Sequence, residues 1–316
     1  MWRIRGETTI SVVVCTLNRC ASLKRTLEGL ARQTFRRFEL IVVNGPSSDG
    51  TAELLSGYPV RVGTCSEARI SRSRNVGVRM AAGDVFAFLD DDAVPEPDWL
   101  EQLAGAYEDP TVAAAGGPVF DVPLGRIDWA ICTCTREGAV NTRSEPPAER
   151  YLGRGADPFL YLAGCNMSFR RSALRRAGAF NPELVYGYDD VEVCMRLVDA
   201  GARIAWVEAV LVRHDRAASA VRSGEQTITD PYPLMFSAAV FIEQSSPTSA
   251  PKVLADWLAI WKSELAERVL EERRPWFRER VEQGIGDGVR AGRRPRRRVR
   301  LGRRGRGDFK PYVSTG

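Results

Sequence analysis

Three consecutive carboxylates follow a strongly apolar run, and they constrain this chain more than any other feature. The run Val85–Leu89 leads directly into Asp90, Asp91 and Asp92, and two prolines follow within five residues. A short apolar run bounded by prolines predicts a buried strand, so the carboxylates should lie at the carboxyl edge of a sheet. Because side chains alternate along a strand, Asp90 and Asp92 should share a side if the strand continues that far.

Two carboxylates on one side of a strand repel each other unless a cation lies between them. Hard oxygen ligands suit Mg²⁺ or Mn²⁺, and Mg²⁺ commonly binds one or two carboxylates together with substrate phosphates. The pattern therefore predicts a metal and diphosphate site that uses Asp90 and Asp92. The alternative is that the three acids only cap the next helix or solvate a turn.

Length and composition allow a large globular core. The chain has 316 residues and is 44% hydrophobic, which fits one large domain or two modest ones. No apolar run approaches the roughly 18 residues of a membrane span, and the N-terminus lacks the apolar segment of a signal peptide. Seven scattered cysteines suggest reduced thiols, and Cys132-x-Cys134 is too isolated for a zinc site. We therefore expect a soluble cytoplasmic protein.

Strand and helix patterns alternate along the first hundred residues. Ile10–Thr16 and Phe38–Val43 are β-branched or apolar runs, and a helical pattern beginning near Ser22 separates them. The segment 71–83 is a second clear helical pattern, and it places Arg74 just before the acidic strand. This alternation predicts βαβ units with a parallel sheet, whose ligand site lies at the strand carboxyl ends. Arg72 and Arg74 are then either part of a solvated helix start or the cationic half of a diphosphate site.

A second acidic pair stands where another helix should begin. Asp189 and Asp190 precede an apolar face at helical spacing, and carboxylates in a first turn are stabilised by the helix dipole even without a function. His214 is the only histidine and follows an apolar strand. Its imidazole could return to the acidic edge, where it would suit Mn²⁺ or a diphosphate.

The remaining segments show less pattern. Residues 121–160 have little periodicity and predict an irregular insertion or mobile loop that contacts a variable substrate. Two amphipathic helices are predicted after residue 230, and they either pack on the catalytic part or face a membrane. Residues 289–316 hold ten Arg and Lys310 against one Asp, a balance of +10 within a net +5. Such a tail is either disordered and solubilising or binds an anionic membrane, and without interleaved aromatics it does not favour nucleic acid.

The ordered set of motifs resembles the family 2 glycosyltransferases of the GT-A fold. Each motif alone is weak, whereas seven in family order make a strong signal over residues 10–215. The motifs are residues 12–19, 47–51, 74–77, 88–95, 164–170 and 187–197, and His214.

The resemblance implies an α/β architecture with a Rossmann-like, mostly parallel sheet flanked by helices. It divides the chain into a GT-A domain at 1–215, a C-terminal helical extension at 216–288 and a disordered basic tail at 289–316. The implied activity is transfer of a sugar from a nucleotide-diphosphate donor to an acceptor hydroxyl, with inversion. The implied cofactor is Mg²⁺ or Mn²⁺.

The resemblance also implies residue roles. Asp190 matches the family's general base, and Asp189 stands where the family has Glu. The implied metal ligands are Asp90, Asp92 and His214. The implied donor-binding residues are Cys15, Thr16, Asn18, Asn44, Arg74, Asp90 and Asp91.

One departure from the family pattern affects the donor. Where the family commonly has two Asp residues before Gly-Ser, this chain has Asn44-Gly45-Pro46-Ser47, so a carboxylate that helps to read the base is missing. We expect a UDP-sugar first, with dTDP- or GDP-sugars as alternatives, and a sugar or lipid-linked acceptor. The inner face of a membrane is the alternative location. The competing function is a catalytically silent sugar-nucleotide binder or scaffold; a nucleotidyltransferase ranks third because it leaves Asp189 and Asp190 unexplained.

Overall fold

The computed structural model describes residues 8–223, 227–246, 249–267, 274–296, 299 and 308–313, with backbone alone at 260–267 and 274. The strands are β1 (Ile10–Thr16), β2 (Phe38–Asn44), β3 (Arg61–Thr64), β4 (Val85–Asp90), β5 (Ala93–Pro95), β6 (Val112–Gly116), β7 (Val119–Asp121), β8 (Arg126–Trp129), β9 (Cys132–Cys134), β10 (Val140–Asn141), β11 (Phe159–Tyr161), β12 (Met167–Arg170), β13 (Arg203–Trp206) and β14 (Val212–His214). The helices are α1 (Cys20–Ala31), α2 (Thr51–Ser56), α3 (Ile70–Met80), α4 (Trp99–Ala106), α5 (Arg171–Ala177), α6 (Asp189–Asp199), α7 (Tyr232–Ser245), α8 (Ala250–Glu267) and α9 (Arg274–Gly292), with one 3₁₀ turn at Ala148–Tyr151.

The main sheet has seven strands in the order β13-β6-β12-β4-β1-β2-β3. All neighbouring pairs are parallel except those of β12, which runs antiparallel to both β4 and β6. Helices cover both faces, so the central strands β1 and β4 are buried almost throughout. The predicted α/β class with a mostly parallel, helix-flanked sheet is confirmed.

Each face of the central strands belongs to a separate apolar core. Val13 and Phe88 pack with Phe169 and Phe180 on one face, whereas Val14 and Leu89 pack with residues such as Leu27 on the other. This two-sided burial follows from the period of two along a strand and explains the continuous apolar runs in the sequence. The frame that carries the strand ends is therefore rigid.

The insertion at 121–160 is more regular than its sequence predicts. It contains β8, β9 and β10, and β9 pairs with β10 and β11 to form a separate three-stranded sheet. The expectation of an irregular loop was wrong because strands of two to four residues are too short to show a period. A turn at 162–166 separates β11 from β12.

The C-terminal helices pack against the α/β part rather than extending away from it. The Phe241 ring of α7 lies 5.3 Å from the Tyr188 ring and 6.4 Å from the Phe159 ring, between ring centroids. Helix α9 packs along α7 and runs to Gly292, past the predicted boundary at 288. The predicted basic tail lies outside the described residues at 297, 298, 300–307 and 314–316. Among the described helices, none combines the length and hydropathy needed to cross a membrane.

Candidate active site

The carboxyl ends of β1, β2 and β4 form one edge of the main sheet, and most predicted donor-binding residues lie there. In the parallel register Cys15 is opposite Asp90, and Thr16 is opposite Asn44. Asn18 lies two residues after the end of β1 and has a left-handed conformation, with φ of 54°. Burial raises the pKa of the Cys15 thiol far above its ordinary value, so this thiol is neutral.

Short polar side chains fix the two loops that leave this edge. The Asn18 side-chain oxygen accepts a hydrogen bond from the Ser48 amide at 2.7 Å, and the Asn18 amide donates to Ser47 Oγ at 3.0 Å. Ser47 Oγ in turn donates to Asn44 Oδ1 at 2.7 Å. The loops after β1 and β2 are therefore tied together before any ligand binds.

The three consecutive aspartates do not lie along one strand. β4 ends at Asp90, and Asp91 and Asp92 form a turn before β5. The Asp90 side chain is 33% exposed, whereas those of Asp91 and Asp92 are 5% and 1% exposed. The strand does not continue to Asp92, so the prediction that Asp90 and Asp92 share one side of it does not apply. Of the three aspartates, only Asp90 is open to solvent.

Arg74 of α3 joins two distant parts of the chain at this edge. Its buried guanidinium donates through Nη1 to the Asp189 carboxylate and through Nη2 to Asp90 Oδ1 at 3.2 Å. Nη2 also donates to the Gly164 carbonyl oxygen at 3.0 Å. We call Arg74, Asp90, Gly164, Asp189 and Asp190 the Arg74 cluster. It brings Asp90 at the end of β4 and the start of α6 to one place.

Asp190 is the more accessible member of the second acidic pair. It is half-buried, while Asp189 is 2% exposed and held by Arg74. Asp190 Oδ2 accepts a hydrogen bond from the Gly164 amide at 2.8 Å. Burial, and then the charge of Asp189, raise the pKa of Asp190 to about 7, although Arg74 opposes the shift. A carboxylate with this pKa is suited to accepting a proton near neutral pH.

A second arginine holds the other two aspartates. Arg19 Nη1 donates to Asp91 Oδ1 and to Asp92 Oδ2, both at 2.9 Å. Arg19 Nη2 donates to the Ala217 carbonyl at 3.0 Å, and the Ala217 amide donates to Asp92 Oδ2 at 2.8 Å. His214 Nε2 donates to Asp92 Oδ1 at 3.0 Å. We call these five residues the Arg19 cluster, and it ties the loop after β1 to the segment after β14.

The two buried aspartates of the Arg19 cluster have different electrostatics. Burial raises the pKa of Asp91 to about 6, and the charge of Arg19 limits the rise. Burial alone would also raise the pKa of Asp92, but the hydrogen bond and charge of His214, and then Arg19, hold it well below its ordinary value. Asp92 is therefore a permanent anion, a natural partner for a cation.

The residues at this edge fit a divalent cation. Among the described residues, Asp90, Cys165 and His214 each offer one ligand atom, and these atoms all lie within 4.8 Å of one another. His214 Nδ1 is buried and has no hydrogen-bond partner of ordinary geometry in the described part of the chain. Burial alone would lower the pKa of His214, but Cys165 and Asp92 raise it well above its ordinary value. A cation would give the orphaned nitrogen a partner.

Sequence reasoning missed three residues that the structure places at the site. Arg19 stood at the end of the motif at residues 12–19 without a role, although the loop after β1 leaves the edge where the aspartates lie. Gly164 and Cys165 stood in a quoted motif without roles. A Cβ on Gly164 would lie 2.9 Å from Arg74 Nη2 and 3.1 Å from Asp190 Oδ2, so a glycine is needed for Arg74 and Asp190 to approach. Only a search of every loop that leaves the carboxyl edge of the predicted sheet could have identified Arg19 from the sequence.

Comparisons with known proteins identify relatives that are named as glycosyltransferases. The chain is 30% identical over 228 residues to the glucosyl-dolichyl phosphate glucuronosyltransferase of Haloferax volcanii, covering 65% of this chain and 68% of the relative. It is 29% identical over 225 residues to the pre-mycofactocin glycosyltransferase of Mycobacterium tuberculosis, again over 65% of this chain but only 42% of the relative.

Two solved structures share the fold. TarS 1–349 of S. aureus, in complex with UDP-GlcNAc, matches 90% of this chain and 81% of its own with a TM-score of 0.58 at 19% identity. The mannosyltransferase PcManGT of Pyrobaculum calidifontis, in complex with GDP-Man and Mn²⁺, matches 90% of this chain and 76% of its own with a TM-score of 0.50 at 18% identity.

A family profile gives the most direct assignment. The profile described as glycosyl transferase family 2 matches residues 11–178, which is more than half of the chain. The matched segment contains β1, β2, β4 and the turn at Gly164, and it therefore includes Arg19, Arg74 and the three consecutive aspartates. The chain therefore belongs to glycosyl transferase family 2, a family of inverting transferases.

Proposed function

We propose that this glycosyltransferase moves a sugar from a nucleotide-diphosphate donor to an acceptor hydroxyl, with Asp190 as the general base. The observation that carries the proposal is the position of the half-buried Asp190 carboxylate. Gly164 connects it to Arg74, and Arg74 contacts Asp90 at the end of β4. A base and a diphosphate-binding edge are thus parts of one site.

The proposed reaction is a single displacement. The acceptor oxygen forms a bond to the anomeric carbon as the bond to the donor diphosphate breaks, and the acceptor proton passes to an Asp190 carboxylate oxygen. Asp189 is not available for this step because it is buried against Arg74. Asp189 is instead a positioning residue, which fixes Arg74 and raises the pKa of Asp190 through its charge.

Divalent-metal dependence is general in this family, and the proposed site for the ion is Asp90, Asp92 and His214. When bound, the ion would neutralise the charge that develops on the leaving diphosphate. For Asp92, coordination exchanges the bond from Arg19 for a bond to the ion, one positive partner for another. Arg19 would then contact the phosphates, since arginine pairs well with phosphate oxygens, and Arg74 would lie beside the donor while it holds Asp90. Mg²⁺ and Mn²⁺ both suit the oxygen ligands.

The donor base and the acceptor are less constrained. Solved structures of the same fold bind UDP-GlcNAc in one case and GDP-Man in another, and we propose a UDP-sugar donor first. Asn44 Oδ1 is engaged by Ser47, so base recognition at this position rests on the remaining amide and on backbone groups. A lipid-linked or sugar acceptor is proposed from the relative named as a glucosyl-dolichyl phosphate glucuronosyltransferase.

The test is transfer and nucleotide release with Mn²⁺ or Mg²⁺ and a panel of UDP-, dTDP- and GDP-sugars. The proposal predicts release of nucleoside diphosphate from at least one donor, and no release in the Asp190→Asn protein even though that protein still binds the donor. Donor binding without release in the parent protein would instead indicate a silent binder. Turnover at the parent rate by Asp190→Asn would overturn the role of Asp190.

Attachment to an anionic membrane is a separate proposal, supported only by the +10 balance of residues 289–316. The expected result is co-sedimentation of the full chain with vesicles that contain anionic lipid and not with neutral vesicles. Deletion of residues 297–316 should remove most of this binding. Equal binding to both kinds of vesicle would contradict an electrostatic attachment.

A further inference from the structure

Cys165 occupies a position that the transfer reaction does not explain. It lies in the turn between β11 and β12, is 5% exposed, and offers its sulfur within 4.8 Å of ligand atoms of Asp90 and His214. Its neighbours hold this turn on both sides. The Gly164 amide donates to Asp190, and the Asn166 side chain donates to the carbonyls of Pro118 and Val210 at 3.0 and 2.7 Å. The thiol is therefore fixed in place rather than carried by a loose loop.

His214 is oriented as histidine ligands of metals commonly are. Its Nε2–H donates to Asp92 Oδ1 at 3.0 Å, and this hydrogen bond fixes the ring. Metal-binding histidines usually donate their second ring nitrogen to a carboxylate in this way. The opposite nitrogen, Nδ1, is buried without a partner of ordinary geometry among the described residues, on a side chain that is 9% exposed. A buried nitrogen without such a partner, beside a thiol and a carboxylate, is a set of donor atoms suited to a metal ion.

We propose that Asp90 oxygen, Cys165 sulfur and His214 Nδ1 form a binding site for a thiophilic divalent cation of the Zn²⁺ class. Mixed nitrogen, sulfur and oxygen ligands are typical of Zn²⁺, and three protein ligands leave a fourth position open. Mg²⁺ favours oxygen ligands alone, so the thiolate selects against it. The thiol proton, and the Nδ1 proton where the ring is charged, pass to solvent as the bonds to the ion form.

This inference rests on the proposed function only because the two sites share Asp90 and His214. An ion held through Cys165 and Nδ1 would compete with an ion held through Asp92 on the other side of the ring. Zn²⁺ should therefore displace Mn²⁺ from the protein without the need for a donor. The competition concerns binding alone and can be measured in a protein that has no turnover.

The test is a Co²⁺ titration of the reduced, chelator-treated full chain, without donor, followed by absorption spectroscopy. A thiolate ligand gives a sulfur-to-cobalt charge-transfer band in the near ultraviolet, and the proposal predicts this band in the parent protein. Cys165→Ser should remove the band and weaken Zn²⁺ binding by at least about tenfold, the lower end of the loss when even an outer partner of a metal site is removed. Circular dichroism verifies that this variant is folded, and Cys165→Ala replaces it if it is not.

Cys15→Ser is the matched control. Cys15 lies opposite Asp90 in the strand register and is more exposed than Cys165, so it is the other thiol at this edge. The control should keep the charge-transfer band. Bound Co²⁺ without the band in the parent protein, or loss of the band in Cys15→Ser alone, would overturn the proposal. Sugar transfer is not part of this measurement, so failure of the proposed function would leave the spectrum unchanged.

Discussion

Two arginines organise the site, and they differ in how deeply they are buried and in which parts of the chain they connect. In the Arg74 cluster the guanidinium is 5% exposed and contacts acids from β4 and α6, two packed elements of the core. In the Arg19 cluster the guanidinium is 15% exposed and bridges a turn to the segment after β14. The first arginine is part of the frame, whereas the second holds a connection between two loops.

This difference gives the two arginines different roles: Arg74 keeps its partners, whereas Arg19 can exchange its partners for a bound ion and diphosphate. A buried ion pair between core elements cannot be broken without leaving an unpaired buried charge, so Arg74 and Asp189 have one arrangement. At Arg19, by contrast, a bound cation would supply positive charge to Asp91 and Asp92 in place of the arginine. A bound diphosphate would supply negative charge to Arg19 in place of the two aspartates. We therefore expect changes at Arg74, Gly164, Asp189 or Asp190 to affect catalysis and folding, and changes at Asp90 or in the Arg19 cluster to affect ion and donor affinity.

The largest effect should follow Asp190→Asn. The amide cannot accept the acceptor proton, so kcat should fall by about a thousandfold, in the range that general base catalysis supplies. Donor affinity should stay within about twofold because the change removes no phosphate contact. Steady-state transfer and calorimetric donor binding measure the two quantities.

Asp199→Asn is the control for that experiment. Asp199 ends the same helix but is 38% exposed and pairs with Arg136 away from the sheet edge. Its transfer rate should match that of the parent protein. A comparable fall in both variants would mean that α6 is simply destabilised by loss of an acid.

Asp189→Asn tests whether the Arg74 cluster is a rigid frame. Removing the charge leaves the Arg74 guanidinium buried and incompletely paired, which should lower the free energy of unfolding by about 3 kcal/mol. Denaturant unfolding measures the loss. Asp230→Asn breaks a more exposed aspartate–arginine pair, with Arg280, and should lower stability by at most about 1 kcal/mol. Equal losses in the two variants would remove the distinction between a buried frame and a surface pair.

Gly164→Ala should weaken the link between Arg74 and Asp190. The added methyl group would lie 2.9 Å from Arg74 Nη2, so the side chain of Arg74 or that of Asp190 must move. We expect a loss of about 2 kcal/mol in stability, as for other overpacked sites, together with a lower kcat. Gly105→Ala is the control because a Cβ there meets nothing within 4 Å. An unchanged kcat in Gly164→Ala would show that Asp190 does not depend on this contact.

Arg19→Gln should give the smallest effect, and unlike the other substitutions it should improve a property of the protein, its affinity for Mn²⁺. Without its guanidinium, Asp91 and Asp92 lose a competing positive charge, so Mn²⁺ alone should bind about tenfold more tightly. Calorimetry of Mn²⁺ binding without donor measures this change. Weaker Mn²⁺ binding in Arg19→Gln would show that Arg19 builds the ion site rather than competing with the ion.

The sequence predicted the frame better than it predicted the contacts. The runs at β1, β2 and β4 are long and apolar because both faces are buried, so the parallel sheet and its active edge could be inferred from them. The end of β4 at Asp90 could not be inferred, since nothing in the sequence Asp-Asp-Asp marks where strand pairing stops. The partners of Asp91 and Asp92 come from Arg19 and Ala217, which lie 72 and 125 positions away in the chain. Contacts of that separation depend on tertiary packing rather than on any local pattern.

The pH dependence of kcat tests the central claim most directly. Burial and the charge of Asp189 raise the pKa of Asp190 to about 7, and a general base acts only in its ionised form. With donor, ion and acceptor saturating, kcat should therefore rise about tenfold per pH unit below about pH 7 and level off above it. A rate that stays constant from about pH 5 to about pH 9, in a protein that remains folded throughout, would contradict Asp190 as the group that accepts the acceptor's proton.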